Sequence, residues 1–193
     1  MSKLIFFTIT VAALLSGCGT ITPGGLIAAS RLDPLETSPS NFTFAVSVPE
    51  TLRLRDGDAE LELAFLPDGK TPDQSVAVNV PLSLRASPDG PRQAKPGETI
   101  YVLSLAPKAA AQVAVWQGQV KALRARGIEG KGSLGIGMAG GCLIRPLTDA
   151  FPFATWIRTD ASADYVQLTH STDLFEVLDA DELDLFKKGL APC

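Results

Sequence analysis

The sequence predicts an α+β fold in which one long helix packs on an antiparallel β-sheet of about seven strands. Several short segments alternate apolar and polar residues, as half-buried strands do. One stretch in the middle of the chain carries an apolar stripe at helical spacing. Of the 193 residues, 46% are hydrophobic and 20% are charged, which is enough apolar content for one core. A β-sandwich with the helix as a crossover is the alternative architecture.

The strand pattern recurs along most of the chain. Its clearest example begins at Val76, where every second residue is apolar until Leu84. Strict alternation leaves one face of a strand in water, so we expect an antiparallel sheet. The predicted strands cover residues 42–48, 60–65, 76–84, 98–105, 134–138, 154–159 and 164–170.

A single long helix is predicted from Pro107 to Arg126. Proline fits its first turn, and Gly127 fits the position just past its end. The apolar stripe that faces the sheet consists of Ala109, Val113, Trp116, Val120 and Leu123.

The last part of the chain, residues 171–190, is predicted to form one or two short helices. Thr172 or Asp173 can cap the first, and Asp179 or Asp181 can cap the second. The acidic residues around Asp181 lack the spacing and central glycine of a calcium loop, so we interpret them as caps and a solvated face.

Residues 127–142 are rich in glycine and match the G-x-G-x-x-G pattern twice. A dinucleotide site needs a strand before these glycines and a helix after them. Here the predicted helix comes first and a strand follows. The glycines therefore indicate a strand that another element approaches closely.

The first residues of the chain have the layout of a secretory signal. Lys3 precedes an apolar run from Leu4 to Leu15, and small residues follow. As a helix, this run would rise about 18 Å, which is too short for a hydrocarbon core of about 30 Å.

The sequence Leu15-Ser16-Gly17-Cys18 resembles the lipobox of bacterial lipoproteins. The resemblance implies a signal peptide over residues 1–17, cleavage between Gly17 and Cys18, and acylation of Cys18. Membrane lipid is then a partner through the acylated Cys18. In a Gram-negative host, Gly19 in place of an Asp implies the outer membrane, with the domain facing the periplasm. An apolar N-terminal helix with an incidental cysteine is the alternative.

The remaining chain divides into a tether and one domain. Residues 18–40 contain the lipidated cysteine and a Gly-, Pro-, Ser- and Thr-rich segment that predicts a flexible tether. Docking of residues 26–35 on the domain is the alternative for its second half. Residues 41–193 are predicted to form a single globular periplasmic domain.

If Cys18 is lipidated, Cys142 and Cys193 are the two thiols that remain. Export to an oxidising compartment then predicts a disulfide between Cys142 and Cys193. Two free thiols or an intermolecular bridge remain as alternatives.

The composition offers little for catalysis, metal binding or nucleic-acid binding. A net charge of −4 and a pI near 5.0 argue against a nucleic-acid partner. His170 is the only histidine, so a multi-histidine metal site is excluded. A triad of Ser133, His170 and Asp173 can be imagined, but Ser133 lacks the G-x-S-x-G spacing. We predict no catalytic residues, no metal and no cofactor.

Taken together, the patterns predict a membrane-anchored bacterial lipoprotein that is not an enzyme and contacts another cell-envelope component, with an envelope protein as the expected partner. One alternative is an accessory lipoprotein of a transport or secretion machine, since the chain is similar in gross plan to the small lipoproteins that anchor type VI secretion assemblies. A periplasmic hydrolase that uses His170 is the other alternative.

Overall fold

The computed structural model describes residues 35–69, 75–85, 90–147 and 149–193. The strands are β1 (Thr43–Pro49), β2 (Leu52–Arg53), β3 (Ala59–Pro67), β4 (Val76–Arg85), β5 (Glu98–Leu105), β6 (Gly130–Met138), β7 (Cys142–Leu143), β8 (Pro152–Arg158), β9 (Val166–Asp173) and β10 (Ala191–Pro192). The α-helices are α1 (Pro107–Ala125), α2 (Leu174–Val177) and α3 (Ala180–Gly189), and a 3-10 turn covers Pro39–Asn41.

Seven of the strands form one curled antiparallel sheet in the order β6-β3-β4-β5-β1-β8-β9. This confirms the predicted α+β architecture of an antiparallel sheet with one main helix. A second, small sheet has the order β10-β7-β2. In it, β10 runs parallel to β7, so the C-terminal end of the chain lies beside the segment that follows β6.

Helix α1 packs against β4, β5 and the 3-10 turn. The residues of the predicted stripe from Ala109 to Val120 are buried, while Leu123 is partly buried. Trp116 also contributes a polar contact, since its Nε1 donates to the carbonyl oxygen of Val76 at 2.9 Å. The helix therefore covers the inner face of the sheet, and the main core lies between them.

The main core is built from the apolar positions of the alternating strands. Each fully buried Leu, Val, Ile or Phe side chain contributes about 1.5–3 kcal/mol relative to leaving it in water. The largest fully buried side chains are Phe42, Phe44, Phe65, Phe151, Leu52, Leu61, Leu63, Leu82, Leu103 and Ile157.

Strand β1 differs from the prediction of one wet face, because all seven of its residues are buried. It lies inside the sheet between β5 and β8. On the outer face, away from α1, Ala45 joins Ala154 and Trp156 in a second small cluster, against which Ile100 and Tyr165 pack. Alternation in β1 therefore separates two cores rather than core and solvent.

Residues 35–40 pack on the domain, which for Leu35 agrees with the docking alternative and differs from a flexible tether as far as Ser40. Leu35 is part of the main core, Gln117 Nε2 donates to the carbonyl oxygen of Thr37 at 2.8 Å, and Lys121 pairs with Glu36 at 3.0 Å. A Pro- and Ser-rich composition is typical of linkers, but it is also typical of turns. Here it forms a turn, and the adjacent apolar residue packs into the core. The folded unit thus includes Leu35 rather than beginning at residue 41.

The two C-terminal helices begin at predicted caps. Asp173 accepts a hydrogen bond from the backbone N–H of Phe175 at the start of α2. Asp179 accepts from Asp181 N–H and Glu182 N–H, and Glu182 accepts in return from Asp179 N–H at 3.1 Å. This reciprocal arrangement is a capping box. Its side chains accept hydrogen bonds from backbone N–H groups at the start of α3 that have no acceptor within the helix.

Candidate functional site

A cleft of about 780 Å³ opens on the outer face of the sheet. This volume lies within the range of about 300–1,000 Å³ that is usual for small-molecule sites. We call it the outer-face cleft. It is lined by Gly90, Pro91, Arg92, Gln93, Ala94, Ile100, Val102, Arg158, Ala163, Asp164 and Tyr165.

Strand register explains why these residues meet. Ala45 of β1 pairs with Val102 of β5 on one side and with Trp156 of β8 on the other, so their side chains share the outer face. Arg158 lies two residues beyond Trp156 and therefore points to the same face. Because Ala45 is small, the larger side chains of its neighbours pack together over β1.

An ion pair forms one wall of the outer-face cleft. Arg92 Nη1 donates to Glu98 Oε2 at 2.6 Å, and Arg92 Nη2 donates to Glu98 Oε1. The same carboxylate accepts from the backbone N–H of Lys95 at 2.7 Å and from the hydroxyl of Ser47. The guanidinium of Arg92 also lies over the ring of Trp156, with 5.4 Å between Cζ and the ring centroid.

The two opposite charges in this wall cancel each other. Hydrogen bonds from Arg92 are the main cause that lowers the pKa of Glu98 to about 2, and the donors from Lys95 and Ser47 act in the same direction, against the effect of burial. The hydrogen bond to Glu98 in turn raises the pKa of Arg92. At neutral pH both groups are ionised, and the wall adds no net charge to the cleft.

Arg158 is the second arginine that lines the cleft. Its Cζ lies 4.6 Å from the ring centroid of Tyr165, a stacking that fixes the guanidinium plane. Its Nε is buried, and among the described residues it has no hydrogen-bond acceptor. Hydrogen bonds from Ser162 are the main cause of a lowered pKa of the exposed Asp160, to which Arg158 adds a smaller contribution. Arg158 forms no ion pair with a described residue, unlike Arg92.

The arginines and the apolar side chains of the lining can bind a ligand, and Asp164 adds a carboxylate. Arginine does not give up its proton at ordinary pH, and Glu98 is ionised and engaged by three donors. None of the described lining residues is a Ser, Cys, His or Lys. In the described part of the chain, no group of three or more His, Cys, Asp or Glu residues is placed to hold a metal ion.

The structure places the predicted disulfide partners at bonding distance. The sulfur atoms of Cys142 and Cys193 are 2.16 Å apart and the Cα atoms 4.9 Å apart. The backbone N–H of Cys193 also donates to the carbonyl oxygen of Leu143 at 2.9 Å. Gly17 and Cys18, the predicted cleavage and lipidation positions, lie outside the described residues, so cleavage and lipidation stay predictions.

The residues of the imagined hydrolase triad occupy separate positions. Ser133 lies in β6 and His170 in β9, the two outer strands of the seven-stranded order, and the side chain of His170 lies outside the described residues. The Oδ1 atom of Asp173 accepts from the backbone N–H groups of Phe151 at 2.8 Å and Phe175 at 3.0 Å. The carboxylate of Asp173 therefore caps the start of α2.

The glycine-rich segment forms strand β6, as predicted, and one of its glycines requires close packing. A Cβ at Gly130 would lie 2.4 Å from the carbonyl oxygen of Leu66 and 2.8 Å from Cα of Pro67, both in β3. At Gly132 the nearest atom would be 4.0 Å away. The glycines thus fit a close approach of strands at Gly130.

The residues of the outer-face cleft do not stand out in the sequence. One signal was present: Trp156 and Arg158 are two apart in a predicted strand and therefore share a face. The pairing of Arg92 with Glu98 had no such signal, because a loop residue and a strand residue meet only after the chain turns.

Compared with known proteins, the chain matches no protein-family model, no curated protein and no solved structure. No activity of a relative therefore bears on this chain. Among the described residues, no helix combines the length and the apolar character needed to cross a bilayer.

Proposed function

We propose that this chain is a lipoprotein of the bacterial cell envelope. Lipid on Cys18 anchors it to the outer membrane of a Gram-negative host. Its folded domain faces the periplasm and binds another envelope component through the outer-face cleft, without catalysing a reaction.

The observation that carries this proposal is the outer-face cleft itself. Its polar groups are held in place before any ligand arrives, since Arg92 is bound by Glu98 and Arg158 is stacked on Tyr165. Pre-organised polar groups beside apolar ones are typical of binding sites. The described lining supplies hydrogen-bond donors, apolar contacts and the carboxylate of Asp164.

Two further features support an anchored, exported protein. Cys142 and Cys193 lie at disulfide distance, and stable disulfides are typical of oxidising compartments such as the periplasm. The lipobox-like sequence that ends at Cys18 fits export followed by acylation. Two or three acyl chains on one residue give firm anchoring, because each buried CH₂ contributes about 0.8 kcal/mol.

The length of chain before the domain limits its reach. Sixteen residues, 19–34, separate Cys18 from Leu35, which is in the core. Even a fully extended chain of this length spans at most about 55 Å. A partner of the domain must therefore lie near the bilayer surface.

Anchoring is tested by comparing the wild-type chain with Cys18→Ser in a Gram-negative host. Mass spectrometry of the wild-type protein should find Cys18 as the first residue and carrying a diacylglyceryl group, and the protein should fractionate with the outer membrane. Cys18→Ser should lose the lipid mass, whereas Gly17→Ala, which keeps a small residue before the cysteine, should remain processed. An intact leader or an unmodified Cys18 in the wild type would contradict the proposal.

Binding through the cleft is tested by photo-crosslinking in intact cells. A photoreactive residue replaces Gln93, which is exposed at the cleft. The matched control carries it at Val115, which is 63% exposed on α1. We expect an adduct from position 93 that Arg158→Met abolishes, and none from position 115. Equal adducts at both positions, or an adduct that is insensitive to Arg158→Met, would count against the cleft.

A further inference from the structure

Arg158 forms no direct ion pair with a described residue. Its Nε is buried and has no acceptor among the described residues, and a buried donor without a partner is unfavourable. Tyr165 holds the guanidinium plane in place. A planar guanidinium offers paired N–H donors that match the two oxygens of a carboxylate.

The surrounding charges limit how negative a ligand can be. Arg92 is already matched by Glu98, so it adds no net attraction. Asp164 lines the cleft, and Asp160 lies close enough for Arg158 to act on it electrostatically. A single negative charge can pair directly with Arg158, whereas a dianion would place a second charge near these two carboxylates and be repelled more strongly. A monoanion therefore fits better than a phosphate monoester.

The cleft also offers apolar surface and spare volume. Ile100 and Val102 contribute side chains from β5, and Pro91 and Ala94 face them from the preceding loop. A volume of about 780 Å³ exceeds what a carboxylate group alone occupies. An apolar substituent on the ligand would therefore be stabilised by burial against these side chains.

We propose that the outer-face cleft binds a carboxylate attached to a small apolar group, with Arg158 pairing with the carboxylate and Ile100 and Val102 contacting the apolar part. This rests on the proposed function, in that it gives the chemical class that the cleft recognises. It does not depend on lipidation of Cys18.

The test is NMR titration of the full chain, purified in a neutral detergent, with isovalerate. We expect saturable shifts confined to the cleft, including the backbone amides of Val102 and Tyr165. Isovaleramide has nearly the same shape without the charge, and we expect at least tenfold weaker binding for it. Inorganic phosphate should also bind at least tenfold more weakly.

Variants assign the effect to one side chain. Arg158→Met should weaken isovalerate binding at least tenfold, and Arg158→Lys, which keeps the charge but loses the planar fork, should weaken it to a smaller extent. Arg53→Met removes an exposed arginine of β2 and should bind as the wild type does. The indole N–H signal of Trp116, which reports the packing of α1 on β4, should stay unchanged in every variant.

Three outcomes would overturn the proposal: equal binding of isovalerate and isovaleramide, shifts spread over the whole surface, or unchanged binding in Arg158→Met. If Arg158→Met fails to fold, undiminished binding in Arg158→Lys and a lack of preference for isovalerate over isovaleramide would overturn it as well. Because purified chain is titrated, a failure here is separate from a failure of anchoring or of envelope crosslinking.

Discussion

Glu98 is the carboxylate whose replacement we expect to lower the free energy of unfolding most. It accepts hydrogen bonds from Arg92, Lys95 and Ser47, and its side chain is only 13% exposed. Glu98→Gln keeps the shape but removes the negative charge. Arg92 then lies against Trp156 without its counter-ion.

The size of the effect follows from the pKa of Glu98. Its ordinary value is 4.5 and its folded-state value is about 2, a difference that corresponds to about 3 kcal/mol at pH 7. Arg92 is 30% exposed, so solvent screening reduces this to about 2–3 kcal/mol. Because the folded-state pKa is the lower one, the contribution is complete above about pH 5. On this reduced scale it declines to about 1 kcal/mol at pH 3 and to less than about 0.5 kcal/mol at pH 2.

Urea denaturation of the wild type and Glu98→Gln at pH 7, 5 and 3 measures this contribution. Glu50→Gln is a matched control, since Glu50 also pairs with an arginine, Arg145, but both side chains are about half exposed, at 46% and 60%. We expect a loss below about 0.5 kcal/mol for the control. Two results would refute the reasoning: a loss in Glu98→Gln no larger than in Glu50→Gln, or a loss that is the same at pH 7 and pH 3.

Three other perturbations have expected sizes. Replacing Cys142 and Cys193 with Ala should lower the free energy of unfolding by up to about 4 kcal/mol, because the pair closes a loop with a sequence separation of 51; urea denaturation under oxidising conditions measures this. Asp179→Ala removes the capping box of α3 and should cost about 1 kcal/mol, measured in the same way. Gly130→Ala should lower stability by about 1–3 kcal/mol, because its Cβ would meet the backbone of β3. Gly132→Ala should be neutral or slightly stabilising in thermal unfolding.

Each of these expectations has an outcome that contradicts it. Equal stability of the oxidised wild type and the double Ala variant would mean that the cysteines are not joined in solution. An unchanged Asp179→Ala would mean that the start of α3 does not depend on its cap. Equal melting temperatures for Gly130→Ala and Gly132→Ala would contradict the close approach of β6 to β3.

The regular elements could be predicted because local periodicity determines them. Strand β5 spans the predicted residues 98–105, and α1 ends one residue short of the prediction, with Arg126 as its C-cap. Capping could be predicted in the same way, since Asp179 and Glu182 have capping-box spacing. In each case the deciding contacts lie within a few residues of chain.

The burial of β1 and the outer-face cleft could not be predicted in this way. Whether Ala45 and Ser47 face water depends on what lies over the outer face, and Trp156 and Glu98 come from distant parts of the chain. Alternation in β1 says only that the two faces differ. Leu35 shows the same limit, because composition alone left a flexible tether and docking on the domain as alternatives, and only the tertiary packing places Leu35 in the core.

The interior position of β1 also determines how the domain would carry a mechanical load. The N-terminal side of the chain leads into β1, which is hydrogen bonded to β5 on one side and β8 on the other. A pull from that side acts along the strand, so both rows of hydrogen bonds are sheared together instead of being opened one by one. If the domain is held by its N-terminal end, tension would be resisted by β1, which has hydrogen-bonded neighbours on both sides. The contacts of Thr37 and Glu36 with α1 would break first.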